Sequence, residues 1–287
     1  MVGLCLCGAG AAGSAAADPL DVATQGYVRD HWRALSWPDV LRIPERVVYI
    51  GETHQYAGVK DALAQDMSDI RAGGITHLAL ELWGDDQQPL LDRYSRGEAD
   101  DAALVAGLKS TLGEQYAELT RRFGPDYFQN YIRLMRAARG AGLKLVALDM
   151  PYQDKLELDK ICGVPSPPAQ CAGRRSPYLA DRDIRMSSNL SGVLSADPGA
   201  RVLALVGSDH ADRAGQPAAL LKYGWTSKTY LFSDGIDNYA FALRDAHPDG
   251  ALVFVDASSP GAPPFDIHFD GDRTVYDGAV FINHFGR

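Results

Sequence analysis

Short apolar runs recur along this chain, each closed by a glycine or a polar position and each followed by a stretch of helical character. The runs are "RVVYIG" (46–51), "THLALEL" (76–82), "LKLVALDM" (143–150), "RVLALVG" (201–207), "KTYLF" (228–232), "ALVFVDA" (251–257) and "AVFINHF" (279–285). Several are continuous in Val, Leu and Ile rather than alternating, as strands covered on both faces are. A helix is predicted over Gly58–Ala72, and another around 179–194. A long polar, helix-rich section covers about 86–140. Its clearest helix, "YFQNYIRLMRAARGAG", puts Tyr131, Leu134, Met135 and Ala138 at i, i+3, i+4 and i+7 and stops at Gly140 and Gly142. Strands alternating with helices predict an α/β domain. Its mainly parallel central sheet is flanked by helices on both faces, with a helical insertion after the second strand. The Pro/Gly-rich "SSPGAPPF" (258–265) reads as a surface loop.

Ligands of open parallel sheets sit beyond the carboxyl ends of the strands. The first strand there delivers Glu52 and His54, the second Glu81, the third Asp149 and the fourth Asp209 and His210. Partial desolvation at the edge of a core shifts such groups toward catalytic use. Two imidazoles and two glutamates could ligate a divalent metal, with His54, Glu81 and His210 as the candidate set. They could equally act as base, orienting acid and electrophile in a hydrolysis. The helix "YLADRDIRMSSNL" adds Arg182, whose guanidinium could balance the acids or clamp a carboxylate. Asp149 could instead only shape the turn before Pro151, and Asp209 could face solvent. His77, His247, His268 and His284 lack comparable context.

Composition narrows the picture. With 287 residues, 46% hydrophobic and 23% charged, the chain can bury a sizeable core. A formal net charge of −9 argues against nucleic acid as a partner. No apolar run reaches the roughly 18–20 residues of a membrane-spanning helix. Residues 1–17, "MVGLCLCGAGAAGSAAA", are uncharged and end on Ala15-Ala16-Ala17, so they read as an export signal, with an Ala/Gly leader as the alternative. Residues 18–287 then form a single domain, periplasmic or secreted. Export would oxidise Cys162 and Cys171 in "CGVPSPPAQC" to a disulfide worth roughly 2–3 kcal/mol; two free thiols are the alternative.

Taken in order, "GETH" (51–54), "LALELWGDDQQPLLDRYSRGE" (78–98), "GLKLVALDMP" (142–151), "RDIRM" (182–186) and "ALVGSDHA" (204–211) resemble the ChaN-like haem-binding uptake family, which shares a superfamily with the Tiki/TraB proteases and erythromycin esterases. The superfamily's Gly-x-x-His, acid and second Gly-x-x-His fall on Gly51 to His54, Glu81, and Gly207 to His210. The further His that ChaN-like members place after the first motif is replaced here by Gln55 and Tyr56. Two functions follow. One is an exported haem-binding protein of haem or iron acquisition, with Tyr56, Tyr152 or Tyr178 as the haem ligand. The other is a hydrolase of a small ester or amide, in which His54 deprotonates water, Glu52 or Glu81 orients it, and His210 or Arg182 stabilises the oxyanion. No Gly-x-Ser-x-Gly elbow is present, which disfavours a serine nucleophile. A binder whose site has lost its chemistry is a third reading, and a homodimer is the one protein partner admitted.

Overall fold

Parallel pairing satisfies the backbone of each apolar run and leaves both faces to be covered by helices, and the computed structural model is built this way. It describes residues 22–162, 177–233, 252–258, 262, 265–269 and 272–282. In chain order the elements are α1 (Val22–His31), β1 (Arg33–Ala34), α2 (Trp37–Val40), β2 (Val47–Glu52), α3 (Ala57–Gln65), α4 (Met67–Ala72) and β3 (His77–Gly84). A 3-10 turn (Asp85–Gln87) opens the helical insertion of α5 (Gln88–Ser95), α6 (Asp101–Leu112), α7 (Glu114–Phe123) and α8 (Tyr127–Gly140). Then follow β4 (Lys144–Asp149), α9 (Tyr152–Cys162), α10 (Pro177–Ala196), β5 (Val202–Gly207), α11 (Ser208–Ala211), α12 (Gln216–Leu221), β6 (Ser227–Ser233), β7 (Leu252–Asp256), β8 (Phe265–Phe269), β9 (Asp272–Tyr276) and β10 (Gly278–Ile282).

The eight-stranded sheet runs β1-β7-β10-β6-β2-β5-β3-β4. It is parallel from β10 through β4, while β7 pairs antiparallel with both β10 and β1. β8 and β9 form a separate antiparallel pair. Successive residues of β2 point to opposite faces. Val48 and Ile50 join Leu78, Leu80, Leu203 and Leu205 in one core with α3 and α8. Val47 and Tyr49 join Met186, Leu190 and Leu194 of α10 in the other.

Three expectations change. The predicted helix over Gly58–Ala72 is two helices, broken at Asp66, whose carboxylate takes a 2.9 Å hydrogen bond from Trp37 Nε1. The sheet carries an antiparallel margin, and Arg33–Ala34 supplies a short edge strand that no apolar run announced. The expected surface loop 258–265 reaches β8 at Phe265. The leader 1–17 and the Cys162–Cys171 bridge lie outside the described residues, as do the side chains that would settle them. No described helix is long and apolar enough to cross a membrane.

Candidate functional site

β2 and β5 lie side by side in parallel register, with Glu52 opposite Gly207, and β3 borders β5 on its other edge. This places Glu52, Glu81 and the residues after Gly207 at one rim. Gly207 makes room for the rest: a Cβ there would stand 3.0 Å from His54 Nε2 and 3.5 Å from Glu81 Oε2. Gly51 serves the scaffold, since a Cβ on it would strike Ala211 Cβ at 2.8 Å and push α11 off the strand.

Glu81 sits at the centre, buried. Its Oε1 accepts a 2.5 Å hydrogen bond from Arg182 Nη2, and its Oε2 accepts one of 2.6 Å from the Gly207 N–H. Two imidazoles face it, His54 Nε2 at 3.5 Å from Oε2 and His210 Nε2 at 3.4 Å from Oε1. Burial alone would raise the Glu81 pKa, but the charges of His210, His54 and Arg182 outweigh it and hold the carboxyl well below its usual range. Arg182, buried on α10, also pairs with Asp149 Oδ2 at 2.5 Å. Desolvation opposes its charge, yet Glu81 and Asp149 raise its pKa, so it remains a cation. Lys155 Nζ meets the same Asp149 Oδ2 at 2.5 Å.

His54 keeps 35% of its side chain open to solvent. Its Nδ1 lies 3.2 Å from Glu52 Oε1 and 3.3 Å from the Tyr131 hydroxyl. Burial lowers its pKa, but the Glu81 charge and the hydrogen bonds to Glu52 and Glu81 more than compensate, pushing it up to about 9. His54 is therefore an imidazolium at neutral pH. His210 is 3% exposed, and its Nδ1 lies 2.6 Å from Asp183 Oδ1 on α10. Burial raises the Asp183 carboxyl, with the hydrogen bond from His210 opposing it. Glu52 is buried too. It accepts a 2.8 Å hydrogen bond from Tyr131 and is ion-paired with Lys60. Burial and the Glu52 charge keep the Tyr131 phenol well above its ordinary value, so it stays a neutral donor.

The structure thus gathers Glu52, His54, Glu81, Arg182 and His210 around one cleft of about 310 Å³, with Asp149 behind Arg182 and Asp209 at the rim. It does not gather the three candidate tyrosines there. Tyr56 caps the start of α3, and Tyr152 starts α9. Tyr178 is nearer, its ring 5.3 Å from the Arg182 guanidinium carbon. Arg122 and Phe123, from the end of α7, and Leu179 line the cleft instead. Pattern reading missed Lys60, Tyr131 and Asp183 as parts of this site. One signal was present: Lys60 shares the i, i+3, i+7 stripe of Leu63 and Met67, where a core helix carries apolar residues.

The set His54, Glu81 and His210 does not fit a metal. Both Glu81 oxygens are taken by N–H donors, and Arg182 occupies the position beside them with a fixed positive charge. Among the described residues no group of three His, Cys, Asp or Glu side chains is arranged to hold an ion.

Residues 43–159 match the family model described as haem-binding uptake, Tiki superfamily, ChaN. A solved protein of Bacillus cereus shares the fold at a TM-score of 0.59 and 12% identity, over 91% of this chain and 97% of that one. ChaN of Campylobacter jejuni, solved with cofacially bound haem, aligns at a TM-score of 0.49 and 14% identity over 71% of this chain and 87% of that one. An erythromycin esterase aligns at 0.47 and 10% identity over 88% and 97%. No curated protein sequence matches the chain significantly.

Proposed function

We propose, for a chain whose residues 43–159 match the model of the ChaN haem-binding uptake family of the Tiki superfamily, that the cleft beyond β2, β3 and β5 binds haem. The observation that carries this reading is the family match itself, because the matched segment contains Glu52, His54, Glu81, Arg122 and Phe123. The residues of the mouth fit the group. Haem is a flat apolar ring with two carboxylates and an iron that accepts Tyr or His. Phe123 and Leu179 offer apolar surface and the exposed Arg122 a partner for a carboxylate; Tyr178, outside the lining but with its ring 5.3 Å from the Arg182 guanidinium carbon, is the candidate for the iron. His54, protonated at neutral pH, has no lone pair to give. About 310 Å³ is at the lower end for a small-ligand pocket, so the mouth rather than the floor would hold the ring. Iron chemistry is what haem supplies when bound; the chain's part is to bind and orient it. The uncharged leader and the Cys162/Cys171 loop support a role in haem or iron acquisition outside the cytoplasm.

A haem titration of the chain from Asp18 onward, followed at the Soret band, tests this. The wild type should saturate, and Tyr178→Phe should bind about tenfold more weakly, roughly 1.4 kcal/mol. Titrations without saturation refute the reading.

A second reading, hydrolysis of a small ester or amide, is favoured by one observation: two imidazole Nε2 atoms face a single carboxylate. The roles then differ from those expected. Asp183 holds His210 through Nδ1 and orients Nε2 at the site, so His210 rather than His54 is the acid–base residue. Cationic His54 stabilises developing negative charge, and Arg182, already committed to Glu81 and Asp149, holds Glu81 in place. Turnover found in an ester and amide screen should fall sharply in Asp183→Asn; unchanged turnover would remove this reading.

A further inference from the structure

We propose that Lys60 is a positioning residue for His54: its ammonium ties the backbone of the turn after β2 to Glu52 and so fixes where the imidazole enters the cleft. Two physical costs oppose a lysine here. It is 1% exposed, and it stands in the early part of α3, where the helix dipole disfavours a cation. Both are offset only by its partners. An ammonium has three N–H donors, and three oxygens of the segment that carries His54 lie within its reach. Nζ pairs with the Glu52 carboxylate, donates to the His54 carbonyl at 2.7 Å, and donates to the Tyr56 carbonyl at 3.0 Å. It also lies 5.0 Å from the centre of the Tyr131 ring.

A counter-charge for Glu52 would need the first of these contacts alone. The two carbonyl contacts bracket the turn on both sides of Gln55, and Tyr56 caps α3 without a side-chain hydrogen bond of its own. Lys60 therefore ties the two carbonyls of the turn together from below and closes it. The Glu52 oxygen that it leaves free accepts from Tyr131 and meets His54 Nδ1, which turns Nε2 toward Glu81. The inference rests on the cleft being the functional site proposed above, but not on which ligand it takes.

The test is the titration of the His54 ring by NMR in the full chain, with His54→Gln used to assign the signal. In Lys60→Met the turn loses its donor, and the His54 midpoint should drop from about 9 toward 6.5. If Lys60 only neutralises Glu52, removing it leaves that carboxylate less opposed, and the midpoint stays or rises; either result overturns the proposal. Should Lys60→Met fail to fold, Glu52→Gln/Lys60→Met removes both charges and leaves no orphan ion. Compared with Glu52→Gln alone, it should show a further drop, whereas an equal or higher midpoint overturns the proposal. Haem takes no part in this readout, so failure of haem binding and failure of the positioning role are separate results.

Discussion

Replacing His54 by Gln should change how stability depends on pH more than it changes the fold. The protonated ring is favoured in the folded state, since its pKa there is about 9 against an ordinary 6.5. Unscreened, that difference is worth roughly 3.4 kcal/mol. About a third of the side chain faces water, however, and ion pairs at that boundary are strongly screened, so about 1–2 kcal/mol is the usable figure. The sign follows from the direction of the shift. A group whose folded pKa is raised lends its full stability below the unfolded pKa and loses it as pH climbs through the folded one. Wild type should therefore exceed His54→Gln by about 1–2 kcal/mol near pH 6, and the gap should close as pH passes through about 9. In melting temperature this is about 2–8 °C for a chain of this size. Urea unfolding of both proteins across that range is the assay. Other titrating groups are common to the two and cancel in the difference. A gap that stays constant from about pH 6 to about pH 10 would refute the charge pairing described for His54.

Arg182→Met should cost about 3–5 kcal/mol in urea unfolding at neutral pH, because Glu81 and Asp149 lose a shared buried cation; a loss below about 1 kcal/mol would mean the three are not one network. Gly207→Ala should leave the fold intact at a cost of about 1–3 kcal/mol from overpacking. It should also shrink the pH-dependent stability that His54 contributes, because the new methyl group would press on His54 Nε2 at 3.0 Å and move the ring away from Glu81. A full-sized pH effect in that variant would contradict the close approach at Gly207.

The strands were legible because unbroken Val/Leu/Ile runs have few other uses in a chain of average composition, and parallel pairing then carries Glu52, Glu81 and His210 to one rim. The antiparallel margin was not legible, because Leu252–Asp256 and Gly278–Ile282 are apolar in the same way as the parallel strands. Periodicity also does not mark the helix break at Asp66, whose carboxylate accepts from the distant Trp37 Nε1. Tyr131 was read correctly as a core-facing helix position, but spacing says nothing about where its hydroxyl ends, and that atom reaches Glu52 in another element. Arg182 was placed on the right helix with its purpose open. The structure commits its Nε and Nη2 to two buried acids, a tie between α10, β3 and β4 that spacing along one helix does not show.

The most direct test of the central claim, that haem is held at this cleft, is to locate the iron by anomalous diffraction from crystals of the haem-loaded chain. The account predicts an iron peak at the cleft mouth, beside Tyr178 and between Phe123 and Leu179. An ordered iron peak anywhere else on the molecule would contradict it.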